Sequence, residues 1–176
     1  QLCPRFKPPL GAATVTIMTY APETAGIATP IGTILISGDR QHLTRITIVA
    51  GADDPDPPRG GPVAEAVAQL RAYFDSKLTD FDLPLAPFDS PRGMALRDAI
   101  AAIPFGETLS YGALARIAGS GPRAIGQACA RNPFPIIIPC HRVLAAGGRL
   151  GAYSAGEGPA TKQWLLDHES RPAQER

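Results

Sequence analysis

The chain has 176 residues, 44% of them hydrophobic, and a formal net charge of +1, enough for one good core or two small ones. No run approaches the roughly 18 apolar residues of a bilayer span and no basic-then-apolar leader is present, so a membrane-free, intracellular protein is expected, cytoplasmic in a bacterium or nuclear in a eukaryote. The near-neutral charge makes any nucleic-acid role depend on a local basic face, and the odd set Cys3, Cys129 and Cys140, with no CxxC pair, argues against a disulfide framework or a cysteine-rich zinc site.

Strands are expected over residues 14–20, 31–37 and 43–50, where β-branched residues partly alternate between Gly, Pro and Asp breaks, as in a short antiparallel meander. Residues 52–61 hold too many breakers for any element. Pro62 then opens an amphipathic helix to about Asp75, with Val63, Val67, Leu70 and Phe74 at spacings of four and three, which would cover one sheet face. Three prolines in residues 84–91 read as a linker between halves, placing an N-terminal domain at 1–86 and a C-terminal one at 87–176.

Beyond the linker the pattern turns helical. Ser90 can cap a helix begun by Pro91, with Met94, Leu96, Ile100 and Ile103 as its apolar positions and Pro104 as its stop. Ser110 can cap a second helix from Tyr111 to Ala118, with Leu114 and Ile117 inward and Gly119 ending it. Pro122 starts a third, to about Arg131, ended by Asn132-Pro133. The short break Gly119-Ser120-Gly121 has helix-turn-helix spacing. At 100° per residue, Arg123, Gly126, Gln127 and Ala130 share one side of the third helix, with Ile125 and Cys129 toward the core. Such small residues fit either tight helix packing or close approach to a narrow minor groove.

The segment from Asn132 through three consecutive isoleucines to Pro139-Cys140-His141-Arg142-Val143 places a cysteine at the end of an apolar run. Cys140 is either an inert buried thiol or a nucleophile; a nucleophile needs a base, because burial raises a thiol pKa. His141 is adjacent but points away on an extended chain, so contact requires a turn or a bridging water. Glu169, at the end of a last helix over residues 160–168, is the candidate orienter: an acid there opposes the helix dipole.

These motifs together are carried by residues 105–115, Arg123 to Gly126, Asn132-Pro133, Ile138 to Val143, Gly151 to Gly156 and Lys162 to Glu169, and in that order and spacing they resemble the O6-alkylguanine-DNA alkyltransferase family. The resemblance implies an α/β (α+β) protein, with a small N-terminal antiparallel sheet and helix of RNase H type and a C-terminal helical domain with a winged-helix-like helix-turn-helix. It implies direct, single-use DNA repair: the alkyl group of a flipped-out O6-alkylguanine passes irreversibly to Cys140, with His141 acting through water, Glu169 orienting it and Asn132 fixing the hinge. It also implies that Tyr111 crowds the target phosphate, that Val143 backbone, Tyr153 and the Ser154 amide hold the base, and that Arg123 enters the minor groove on a helix face of Gly126, Gln127 and Ala130. Double-stranded DNA is the implied partner, the protein a monomer, with no cofactor. The scattered Cys3, His42 and Cys129 suggest no metal.

Departures from the family pattern are Ala152 or Ala155 where the pocket loop usually has glycine, which favours methyl over bulky adducts, and a longer loop before Lys162. Cys129 is assigned to packing. The rival readings are a lesion-binding relative without transfer and an unrelated Cys-His hydrolase; a transcription factor lacks support because the exposed helix face has few base-reading side chains.

Overall fold

The computed structural model describes residues 22–51, 56, 58–88 and 90–170. Three strands, β1 (Glu23–Thr29), β2 (Gly32–Gly38) and β3 (Leu43–Val49), form an antiparallel sheet in the order β1-β2-β3. Ile27, Ile34, Ile36, Ile46 and Ile48 are buried, each side chain contributing roughly 1.5–3 kcal/mol on burial. The β1-β2 hairpin closes through Gly32 at φ 110, where an added Cβ would stand 2.7 Å from the Val49 carbonyl oxygen. Only glycine fits that turn without strain.

Residues 14–20, where a strand was expected, lie outside the described residues, as does part of the 52–61 segment. The strand at Glu23–Thr29 is not announced by its sequence. ETAGIAT has a single large apolar side chain, and pairing with β2 across a two-residue turn decides the conformation where propensity does not.

Helix α1 (Pro62–Phe74) packs Val63, Ala66, Val67, Leu70 and Tyr73 inward, so Tyr73 is fully buried while Phe74 is only partly so. The proline-rich segment that follows does not hang free. Its backbone bonds β3, with Leu43 N–H donating to Pro84 O (2.8 Å) and Ala86 N–H to Leu43 O (2.8 Å).

Helix α2 (Pro91–Ala101) starts with the Ser90 hydroxyl accepting from Gly93 N–H at 3.1 Å, as the cap pattern predicts. Leu96, Ile100 and Ile103 are buried; Met94 is 38% exposed, because at 100° per residue it falls about 150° from the centre of that face. Strand β4 (Leu109–Ser110) leads into α3 (Tyr111–Ile117), whose Ser110 cap accepts from Ala113 N–H at 3.1 Å. Here one expectation fails. Leu114 and Ala115 set the inward direction and Ile117, about 110° away from it, is 70% exposed.

Helix α4 (Pro122–Ala130) follows across Gly119-Ser120-Gly121, with Ile125 and Cys129 inward and Arg123, Gln127 and Ala130 exposed, as its wheel requires. A short 3-10 turn at Cys140–Arg142 precedes β5 (Val143–Leu144), which pairs in parallel with β4. Helix α5 (Pro159–Ser170) runs past the predicted end, so Glu169 lies inside its last turn and is 4% exposed. Among the described residues no helix is long and apolar enough to cross a membrane.

Replacing Ser110 with alanine removes the cap that orients α3. Urea denaturation should show a loss of about 1 kcal/mol; an unchanged midpoint would mean the cap carries no stability.

Candidate functional site: a buried thiol and its relay

The turn that presents Cys140 is built by Asn132. Its side-chain oxygen accepts from Phe134 N–H (3.0 Å), while Nδ2 donates to Ile138 O (2.9 Å) and to Cys140 Sγ (3.2 Å). One side chain therefore closes the loop and touches the sulfur. Within the loop Ile136 sits at φ 76, a left-handed conformation costing a β-branched residue on the order of 1–3 kcal/mol. Burial of Phe134, Ile136, Ile137 and Ile138 holds it there. Pro139 then turns the chain, with Cys140 N–H donating to Ile138 O and Arg142 N–H to Pro139 O. His141 and Arg142 thereby point into the protein, where an extended chain would have sent neighbours to opposite sides.

Behind the thiol lies a charged array. Glu169 Oε1 accepts from His141 Nε2 (2.7 Å), Tyr73 Oη (2.9 Å) and Arg142 Nη2 (3.0 Å); Oε2 accepts from Arg142 Nε (2.8 Å) and Gly106 N–H (3.2 Å). Burial alone would raise the Glu169 carboxyl, but the bonds from His141 and Arg142 and the Arg142 charge outweigh it and hold it well below its ordinary 4.5. An ionised carboxylate only accepts, so His141 Nε2 carries the hydrogen and Nδ1 keeps the lone pair. Burial, opposed by Glu169, pushes the imidazole below its ordinary 6.5 and keeps it neutral. Its Nδ1 is buried with no hydrogen-bond partner among the described residues. This is a poised proton acceptor.

Burial also pushes the Cys140 thiol up, against the lowering effect of the Asn132 bond and the Lys162 charge. Lys162 is fully buried and donates from Nζ to the Val143 carbonyl at 2.6 Å. The resting thiol is protonated, beside a neutral base and a buried cation that would favour a thiolate.

Cys140 opens onto a cavity of about 130 Å³ shared by Tyr111, Gly126, Cys129, Ala130, Ala152, Tyr153 and Ser154. Burial and then the neighbouring sulfurs keep the Tyr111 phenol above its ordinary value, so it remains a protonated donor. Cys129 is pushed to about 12, by burial first and the Cys140 charge second, which suits packing rather than reactivity. Ala152 borders the cavity and Ala155 does not. Of the other residues expected at the site, Val143 is fully buried and does not line the cavity, Arg123 is exposed at the start of α4, and Gln127 is turned toward a separate groove against α2. Among the described residues no cluster of His, Cys, Asp or Glu could hold a metal.

Tyr73, Arg142 and Lys162 were not picked out from sequence. Nothing local marks Tyr73 or Lys162, whose partners lie 96 and 19 positions away. A further signal was readable: between Glu107 and Glu157 there is no acidic residue, while Arg116, Arg123, Arg131, Arg142 and Arg149 all fall there.

The fold and site define a helix-turn-helix protein built around a buried cysteine-histidine-carboxylate array. The family model for "6-O-methylguanine DNA methyltransferase, DNA binding domain" matches residues 94–171, and that for "6-O-methylguanine DNA methyltransferase, ribonuclease-like domain" matches 24–87. The methylated-DNA--protein-cysteine methyltransferase of Mycobacterium leprae is 40% identical over 133 residues, covering 72% of this chain and 81% of the relative. The crystal structure of Mycobacterium tuberculosis O6-methylguanine methyltransferase superposes with a TM-score of 0.75 at 35% identity, covering 89% of this chain and 97% of that one. The structure of Mycobacterium tuberculosis OGT in complex with DNA does so at 0.72 and 37%, covering 84% and 92%. The chain belongs to the 6-O-methylguanine DNA methyltransferase family.

Glu169→Gln should cost roughly 3–5 kcal/mol in urea denaturation, because it leaves the Arg142 guanidinium buried without its counter-charge. Since the folded carboxyl is held below 4.5, its ionisation stabilises the fold above that pH and the contribution fades as pH falls below it. The wild type should therefore lose stability on acidification more steeply than the variant. Parallel curves for the two would contradict the assigned charge state.

Proposed function

We propose that this chain repairs DNA directly, taking the alkyl group from O6 of a guanine rotated out of the duplex onto Sγ of Cys140. The observation that carries this is a buried thiol facing a small cavity on the flank of an exposed helix, next in the chain to an imidazole whose Nδ1 is neutral and without a partner among the described residues. A base inside a duplex is out of reach of a buried sulfur, so the nucleotide must be extruded.

In the step itself His141 Nδ1 takes the thiol proton through a bridging water, and Glu169 stabilises the imidazolium that forms. The Sγ lone pair attacks the alkyl carbon in line, the carbon–O6 bond breaks, and its electron pair stays on the guanine, which takes a proton from the Tyr111 hydroxyl; the proton held by His141 returns through solvent to restore the phenol. Lys162 and the Asn132 amide stabilise the transient thiolate. The product is a thioether with no leaving route back, so each molecule acts once.

Asn132 fixes the hinge that aims the sulfur. The Tyr111 hydroxyl, kept protonated, faces the base edge, while Tyr153, the Ser154 amide and Val143 backbone hold the base; the Val143 carbonyl retains a second lone pair beyond its bond from Lys162. Outside the cavity, Gly126 and Ala130 leave the α4 surface low, which suits a minor groove, and Arg123 can fill the gap left by the extruded base. Gln127 lies beside them at the edge of that surface. The acid-free, arginine-bearing stretch supplies the local basic face that the net charge of +1 does not. One chain carries the whole array, so a monomer suffices, divided at residues 86 and 87 into a sheet-bearing part and the part that meets DNA.

Mass spectrometry after mixing with a duplex bearing O6-methylguanine should show one methyl group added, mapped to Cys140. Cys140→Ala should bind the duplex and gain no mass; an unmodified wild type would favour a lesion-binding protein without transfer. With Ala152 on the rim of a cavity of only about 130 Å³, O6-methylguanine should react faster than O6-benzylguanine when each is presented in the same duplex. Equal or faster use of the benzyl adduct would contradict the small-pocket reading.

A further inference from the structure

Next to the thiol cavity is a second, more open depression, a groove of about 340 Å³ between β3 and the end of α4. Its walls are Arg45 and Thr47 on one side, Arg131 and Asn132 on the other, with Ser154 to Gly156 at one end. Ala130 and Ser154 line both depressions, so the groove begins at the mouth of the thiol cavity. Its position is fixed. Ile46 N–H donates to Pro133 O at 2.8 Å, tying β3 to the Asn132 hinge, and the strand alternation that buries Ile46 and Ile48 turns Arg45 and Thr47 outward.

The electrostatics of the groove are one-sided. Arg45 and Arg131 are both exposed, neither takes part in an ion pair among the described residues, and no acidic side chain lines the groove. The cavity is large enough for a base but not for the sugar and phosphates attached to it, which must stay at the mouth where the groove starts. Unpaired guanidiniums beside that mouth match a phosphodiester backbone.

We propose that this groove takes the backbone phosphates of the strand carrying the extruded nucleotide, with Arg45 as a phosphate contact supplied by the N-terminal sheet. The inference rests on the proposed DNA repair function and extends its interface beyond the helix-turn-helix. It gives the sheet a part in binding.

The test is the affinity of the full chain for a duplex bearing O6-methylguanine, followed by fluorescence anisotropy across a salt series. Losing one phosphate contact should make the log–log salt slope of Arg45→Gln shallower by about 0.9, which is roughly an eightfold weaker affinity at 0.1 M salt and convergence with wild type near 1 M. Arg45→Lys should recover most of the slope. Lys77→Gln, at the far end of α1 in an exposed pair with Asp75, should leave it unchanged. Transfer from the free O6-methylguanine base, which has no phosphate, should match wild type in all three variants. If Arg45→Gln keeps the wild-type slope while its free-base reaction is normal, the groove is not a phosphate site. A wild type that binds no duplex at any salt would instead remove the functional reading, and this inference with it.

Discussion

Taking a carboxylate out of water costs several kcal/mol unless its oxygens are fully bonded, and in this protein the Glu169 carboxylate meets that condition only because distant stretches of chain converge on it. Tyr73 comes from α1, Gly106 from the loop before β4, and His141 and Arg142 from the cysteine turn, while Glu169 itself is on α5. Five donors around two oxygens neutralise the burial. The same bonds cross-link the sheet-bearing part to the helical part, so the group that orients the imidazole also holds the two parts in register. Arg142 adds a tie to the Ile103 carbonyl and lies over the Phe105 ring at 5.7 Å. An aromatic cluster of Tyr73, Phe74, Phe81, Trp164 and His168 packs alongside.

Two opposite electrostatic demands are met within a few residues. The fold keeps Glu169 charged although it is buried, because strong donors surround the carboxylate, and keeps His141 neutral because burial disfavours the imidazolium more than Glu169 favours it. The thiol beyond them stays protonated at rest, since its burial outweighs the Asn132 bond and the Lys162 charge. A resting thiol is protected from stray electrophiles and oxidants, which react with thiolates. That protection matters for a residue that can be used once.

Much of this was legible in sequence where the signal is local. Ser90 and Ser110 cap their helices, Pro62, Pro91 and Pro122 open theirs, and the α4 wheel sorts Ile125 and Cys129 from Arg123 and Ala130. Cys140, His141, Glu169 and Asn132, named on motif and resemblance, lie together. In a helix as short as α3, two turns of apolar residues do not fix the buried direction, so Ile117, expected inward, is exposed. β1 escaped because its conformation comes from its neighbour strand and not from its own residues. Lys162 and Tyr73 escaped because their roles exist only across long sequence separations.

The most direct test of the account is the protonation of the His141 ring, read from its 15N chemical shifts in uniformly labelled protein between about pH 6 and 8, the range where histidine normally titrates. The account predicts one neutral tautomer throughout, hydrogen on Nε2 and a bare Nδ1. A doubly protonated ring in that range, or hydrogen on Nδ1, would contradict it, because the nitrogen required to take the thiol proton would already be occupied.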